Sequence, residues 1–152
     1  TATSKMFADI SDSLSALRDS INYCQLPWAY DAGFGASVTR YIIPAYYGVS
    51  STSGDMRYYF DSPATVKSFK ITGRPGTSPA QDFTHTFTLR IDGVDTTMTA
   101  SITVTQAGGT AYQTVTSTGS PIHISAGSWI DIKCVMANNT FIRTSGYILI
   151  IL

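Results

Sequence analysis

The feature that most constrains the fold is an Asp92-Gly93 dipeptide between two long runs of alternating side chains. Asp-Gly favours a two-residue hairpin turn, because both central residues of that turn need positive φ. A strand places alternate side chains on opposite faces, so the pattern predicts an antiparallel hairpin with one buried face and one wet, hydroxyl-rich face. The alternating apolar positions begin at Phe83, His85, Phe87, Leu89 and Ile91, and they continue at Val94, Thr96, Met98, Ala100, Ile102 and Val104.

Shorter β patterns separated by turn residues cover most of the remaining sequence. They predict strands near residues 38–43, 55–60, 66–72, 111–116, 122–124, 129–136 and 141–152. About eight or nine short strands with turn signals at regular spacing are typical of a sandwich. We therefore predict a mostly β protein, an antiparallel β-sandwich or jelly roll preceded by one short amphipathic helix. The 152 residues suit an N-terminal helix over 1–25 and a sandwich domain over 26–152.

The predicted helix, residues 4–24, carries an apolar seam with gaps of 3 and 4 residues, which is the spacing of a coiled coil. Pro27 is expected to close the helix. One interpretation is a stem that associates with other copies of the chain. The other is a single helix packed on its own domain, because periods of 3.5 and 3.6 barely diverge over this length. The seam comprises Phe7, Ile10, Leu14, Leu17, Ile21 and Cys24.

The last predicted strand is apolar on both faces from Tyr147 to Leu152. Such a strand suits the centre of a sheet, or a place where another subunit covers the outer face. We therefore add Tyr147, Leu149 and Ile151 to the helix seam as candidate oligomer-interface residues.

Charge and cysteine content exclude several classes of function. Charged residues make up 13% of the chain and the net charge is zero, whereas a nucleic-acid binder needs clustered Lys and Arg. The apolar tail is shorter than the ~20 residues of a membrane span. Cys24 and Cys134 lie too far apart in sequence to indicate a disulfide framework and are predicted to be free thiols. We expect no nucleic-acid partner and no membrane partner.

No motif of catalysis or metal binding is present in the sequence. His85 and His123 both fall inside predicted strands without a second ligand at metal spacing. The acids Asp55, Asp61, Asp92 and Asp95 flank predicted turns, which explains them without a catalytic role. We predict a protein that is not an enzyme, with no catalytic residue, cofactor or metal site.

Residues 25–62 are rich in aromatic side chains and contain few charges. Exposed Tyr rings of this kind form sugar-stacking platforms and also protein interfaces. The alternative is that the rings pack inside the sandwich or against the helix. We take Tyr46, Tyr47, Tyr58 and Tyr59 as the candidate ligand or partner surface.

Two stretches of the sequence resemble a known family: FTLRIDGVDT, from Phe87 to Thr96, and ISAGSWIDI, from Ile124 to Ile132. They are similar to the jelly-roll-like sandwich found in virion proteins of tailed bacteriophages, both in fibre knobs and in capsid decoration proteins. Asp92 replaces the usual Asn of that turn, and Ser128 replaces the usual Asp.

The resemblance implies a trimeric protein on the virion surface, whose partners are its own copies and other virion proteins. Its role would be that of a fibre or a capsid decoration protein. The alternative is a carbohydrate-binding module or a receptor-binding tip that recognises host glycans.

Overall fold

The computed structural model describes residues 1–21, 23–30, 39–45, 49–50, 57–75, 81–136 and 142–152. It begins with helix α1, Ala2–Ile21. The strands follow in the order β1 Tyr23–Tyr30, β2 Thr39–Ile42, β3 Val49–Ser50, β4 Tyr58–Tyr59, β5 Ala64–Pro75, β6 Phe83–Ile91, β7 Val94–Val104, β8 Gln113–Thr116, β9 Ile122–Ile124, β10 Trp129–Val135 and β11 Ile142–Ile151.

The strands form two antiparallel sheets that face each other across one core. Sheet I has the order β1-β11-β5-β8, with β9 also paired to β5. Sheet II has the order β3-β2-β10-β6-β7, with β4 also paired to β10. The predicted antiparallel β-sandwich with an N-terminal helix is therefore confirmed. Within the described residues, no helix is long and apolar enough to span a bilayer.

The core consists of the inward faces of both sheets. Its side chains come mainly from β5 and β11 of sheet I and from β6, β7 and β10 of sheet II. The alternation of apolar and polar residues in the sequence therefore predicts correctly which side chains of these strands face the core. Fully buried members include Phe69, Ile71, Phe87, Leu89, Met98, Ile102, Ile130 and Ile132.

The hairpin predicted at Asp92-Gly93 is confirmed. Strands β6 and β7 pair from Phe83↔Val104 to Ile91↔Val94, and both turn residues have positive φ, 50° at Asp92 and 81° at Gly93. A register irregularity between Thr88 and Arg90 interrupts the alternation. Arg90 alternates with the core residue Leu89, as predicted for the wet face, yet its side chain is buried.

Strand β1 was not predicted, because Pro27 was expected to follow the end of the helix. The helix instead ends at Ile21, and Pro27 lies inside β1, which is an edge strand. Proline is tolerated there because an edge strand does not need every N–H for pairing. Trp28 pairs with Gly146 of β11, and its ring is buried in the core.

Candidate interaction surfaces

The apolar face of α1 is exposed along the helix. We call Phe7, Ile10, Leu14 and Leu17 the helix stripe; Phe7 is 65% exposed and Leu14 is 60% exposed. Every residue from Thr1 to Arg18 is exposed. The interpretation in which the helix packs on its own sandwich is therefore wrong for this part of the helix. Four large apolar side chains in a row on one helix face are available to a partner.

The predicted seam continued through Ile21 and Cys24, and the structure shortens it. Ile21 is the last helical residue, and its side chain lies outside the described part. Cys24 is in β1 opposite Ile150, where it is half-buried and packs against the core. Cys24 therefore does not extend the helical seam, because strand pairing with β11 overrides the helical period at this point.

The terminal strand β11 lies in the centre of sheet I, between β1 and β5. Ile148 and Ile150 are buried, which accounts for its inner apolar face. Tyr147, Leu149 and Ile151, here called the terminal stripe, alternate with them and are half-buried on the outer face. The sheet-centre position predicted from the sequence is confirmed. The terminal stripe lies next to Tyr23, which pairs with Ile151 where the helix joins the sandwich.

The four tyrosines proposed as a ligand surface do not act as one set. Tyr46 and Tyr47 lie outside the described residues. Tyr58 is half-buried, and its ring meets Phe60 edge to face at 5.2 Å between centroids. Tyr59 is the next residue of the same strand, so its side chain faces the opposite side and is 53% exposed. Tyr58 thus belongs with the core, and of the two described tyrosines in this set it is Tyr59 that presents its ring to solvent.

Tyr59 lies in an aromatic surface that includes two residues missed by the sequence reasoning. The Arg57 guanidinium donates to the Tyr59 hydroxyl at 3.1 Å and lies 4.7 Å from the centroid of the Trp129 ring. Trp129 pairs with Tyr59 across β10 and β4. The turn from Ser125 to Ser128 brings Trp129 to this position, because Gly127 and Ser128 form two backbone hydrogen bonds with Phe60. A cleft of about 370 Å³ opens beside it, lined by Cys24, Leu26, Tyr58, Tyr59, Phe60 and Leu152 among others.

The aromatic surface of Arg57, Tyr59 and Trp129 lies at the end of the sandwich from which the helix leaves. Ser128 and Gly127 hydrogen-bond to Phe60, Phe60 leads into β5, and the start of β5 pairs with the end of β11. We call this the stem end. The opposite, far end contains the start of β11 and the end of β5, where Ile142 pairs with Pro75.

A charged cluster, buried at Arg90 and Asp131 and exposed at Asp95, joins the hairpin to β10. Arg90 contacts Asp95 at 3.0 Å (Nε to Oδ1) and Asp131 at 3.7 Å (Nη1 to Oδ2), and its guanidinium lies over the Tyr41 ring at 4.9 Å. Lys133 binds the other oxygen of Asp95. Asp95, which follows the turn as predicted, is therefore also an ion-pair partner in β7. Asp92 keeps a turn role, since its carboxylate accepts from the Trp129 N–H at 3.0 Å.

The histidine and cysteine side chains, the residue types that most often carry catalysis or metal binding, are dispersed over the described structure. His85 is fully buried in the core, and burial lowers its pKa from the ordinary 6.5. His123 is exposed at the other sheet. Burial raises the pKa of the Cys134 thiol to about 12, so that thiol stays protonated at neutral pH. Among the described residues there is no group of three or more metal-ligating side chains.

No protein-family model matches the chain, and no curated protein matches it. Several solved structures have a related layout. A CBM36-1 domain of a multidomain xylanase from the hindgut metagenome of Trinervitermes trinervoides has a TM-score of 0.43 at 14% identity, over 85% of this chain and 96% of that chain. A family 35 carbohydrate binding module from Clostridium thermocellum has a TM-score of 0.37 at 9% identity, over 84% of this chain and 90% of that chain.

A cycloalternan-forming enzyme from Listeria monocytogenes, solved with a pentasaccharide substrate, has a TM-score of 0.39 at 15% identity. That match covers 78% of this chain and 9% of the enzyme.

Proposed function

We propose that this chain is a non-enzymatic attachment protein of a virion surface that associates through its helix and displays the sandwich as a head. The observation that carries the proposal is the helix stripe, which the sandwich of the same chain leaves exposed. The phage resemblance of the FTLRIDGVDT and ISAGSWIDI segments supports the placement on a virion.

Burial of the helix stripe in an interface would give a free energy comparable to the cost of association. Fully burying an exposed Leu, Ile or Phe side chain is worth about 1.5–3 kcal/mol. The four side chains of the helix stripe are 47–65% exposed, so covering them contributes about 3–7 kcal/mol per chain. Association costs about 4–15 kcal/mol in lost freedom. The helix alone is therefore a marginal interface, and the half-buried terminal stripe at the stem end would add to it.

The pattern of the helix favours three copies in parallel. Leu and Ile occur at both seam positions, whereas dimers prefer a β-branched residue at one position and Leu at the other. Parallel association also keeps the heads at one end. The helix positions on either side of the stripe are Met6 and mostly serines. Ion pairs between neighbouring helices therefore do not select a dimer over a trimer.

Light scattering on the intact chain tests the proposal. We expect a mass near three chains, and we expect Leu14→Asp/Leu17→Asp to lose assembly or solubility. The matched control is Ala8→Asp/Ser15→Asp, which adds the same two charges on the other side of the helix and should keep the assembled mass. A folded monomer at micromolar concentration for the intact chain, or equal loss in both variants, would refute the self-association.

A second candidate function is recognition of a host glycan, and the exposed ring of Tyr59 beside Trp129 favours it. An aromatic ring with polar groups around it is a surface on which sugars stack. Loss of binding on a glycan array by Tyr59→Ala, with binding kept by Tyr112→Ala at another exposed ring, would support this site. If both variants bind like the unmodified chain, the aromatic surface is not the site.

A further inference from the structure

Exposed apolar side chains are concentrated at one end of the molecule. In the described part of the chain, five large apolar side chains are exposed on α1, and four more are exposed at the stem end: Tyr23, Tyr59, Val94 and Leu152. Val94 belongs to that end because the hairpin tip is held there, where the Asp92 N–H donates to the Trp129 carbonyl. The remaining two of this kind, Tyr112 and Val135, lie elsewhere on the head. The apolar surface therefore continues from the helix onto the base of the head.

The cleft beside Tyr59 is the open mouth of the sandwich at this end. Both sheets contribute to its lining, which includes Cys24, Leu26, Tyr58, Tyr59, Phe60 and Ile150. Leu26, Phe60 and Ile150 are buried, so the floor of the cleft is apolar. Asp61 and Ser62, which also line it, are exposed and give it a polar rim. At about 370 Å³ the cleft is large enough for one aromatic side chain.

Tyr23 has the chemistry to fill such a cleft, but it cannot reach the cleft of its own chain. It is 39% exposed and directly precedes Cys24 in β1. Consecutive residues of a strand point to opposite faces, and Cys24 is the one that packs against the core and lines the cleft. The Tyr23 ring therefore lies on the outer face of sheet I, where only another copy of the chain can receive it.

A parallel assembly brings the ring and the cleft to the same level. Rotation about an axis along the helices keeps each residue at its own height on that axis. The Cα atoms of Tyr23 and Cys24 are about 3.8 Å apart, as in any pair of consecutive residues. Tyr23 of one copy is therefore level with the cleft of the next copy. The cleft also adjoins the end of the helix, so the two contacts form one continuous interface.

The helix stripe by itself leaves the assembly short of buried surface. Its burial only matches the cost of association, so a stable assembly needs a further apolar contact. Aromatic side chains that enter a pocket on the partner are frequent anchors of interfaces. The stem end supplies both halves of such a contact, an exposed tyrosine and an apolar cleft.

We propose that Tyr23 of one copy inserts its ring into the stem-end cleft of a neighbouring copy; this inference rests on the proposed parallel assembly. The ring covers the apolar floor beside Leu26 and Phe60. Its hydroxyl donates to the Asp61 carboxylate at the rim, because a buried Tyr hydroxyl needs a hydrogen-bond partner. The cleft is thus complete only when a second copy is present.

Photo-crosslinking with p-benzoylphenylalanine in place of Tyr23 tests the contact directly in the full chain. Irradiation of a mixture with isotopically labelled unmodified chain should give adducts between two chains, which mass spectrometry should map to residues 58–62 or Leu152. The control places the same photo-reactive residue at Tyr112, which is exposed at the far end, and should give no adduct at the cleft. Adducts within one chain only, or equal labelling of the cleft from both positions, would overturn the inference.

Dilution measured by light scattering gives a second, quantitative test. Tyr23→Ala should weaken association by at least about tenfold, whereas Tyr112→Ala should assemble as the intact chain does. Tyr23→Phe keeps the ring and should lose only the hydrogen bond. Asp61→Ala should therefore weaken the intact chain and have no added effect on Tyr23→Phe, as expected for two residues that act through one contact.

The outcomes separate this inference from the proposed function. An intact chain that stays a folded monomer refutes both. An assembled intact chain whose Tyr23→Ala variant assembles equally well refutes only the insertion of Tyr23. Glycan binding by the assembled protein that Tyr59→Ala abolishes would show that the cleft is open to a ligand, and this result also overturns the inference.

Discussion

Replacing Gly146 by alanine tests how the helix is anchored to the head. Gly146 lies within β11, opposite Trp28 of β1, the strand that continues directly from the helix. A Cβ at this position would come too close to the backbone oxygen of Lys70 and to the indole of Trp28. A backbone oxygen cannot rotate away as a side chain can, so β5 or β11 must shift to accept even one methyl group.

The magnitude follows from two opposing effects. Overpacking a well-packed site costs about 1–3 kcal/mol, and alanine regains about 0.5–1 kcal/mol over glycine within a strand. Because one of the two contacts is with backbone, which must shift, the upper end of the overpacking cost applies, and Gly146→Ala should lower the free energy of unfolding by about 2 kcal/mol. For a chain of this length that is a fall in Tm of about 4–8 °C.

Urea melts followed by tryptophan fluorescence measure the change, because Trp28 reports on this contact. Ser145→Ala is the matched control, since its side chain already has a Cβ and points outward, and a surface change of this kind stays within about 0.5 kcal/mol. Unchanged or higher stability of Gly146→Ala would refute the close packing of β1, β11 and β5 and with it the anchoring of the helix.

Three further predictions concern the hairpin, the buried histidine and metals. Gly93→Val should cost about 1–3 kcal/mol, because φ is +81° while the space around the Cβ is ordinary; an unchanged melting temperature would contradict the strained turn. Because burial lowers the pKa of His85 below 6.5, the unfolded chain binds the proton more readily, so the contribution to stability is complete above pH 6.5 and is lost as the pH falls below it. His85→Leu should flatten that part of a Tm-against-pH curve, and His123→Leu should leave it unchanged; the reverse pattern would refute the assignment. EDTA should leave Tm unaltered, and a clear drop would reveal a metal site.

The candidate surfaces were harder to predict than the strands, for identifiable physical reasons. The helix stripe was visible because its residues repeat along one local element. The partnership of Arg57, Tyr59 and Trp129 joins residues about seventy positions apart through β4–β10 pairing, and no local pattern contains that distance.

The structural role of Pro27 also depends on distant segments, and here the local signal predicted the wrong element. A proline soon after an amphipathic run favours the end of a helix, yet the helix ends six residues earlier, at Ile21, and the proline lies within a strand. Edge position in sheet I decides this outcome, because the missing N–H is harmless only where no second neighbour needs it. Local preference cannot report whether a strand will be at an edge.

The sequence by itself determined the features that depend on neighbouring residues: the period of the helix stripe, the alternation of β6 and β7, and the Asp92-Gly93 turn. Periodicity and turn geometry are local, so one chain segment contains all the information for them. Tertiary structure alone decided which sheet each strand joined and that Arg90 is buried with Asp131. These depend on strand pairing between distant segments, where packing of the whole core selects one register among several that the local pattern allows.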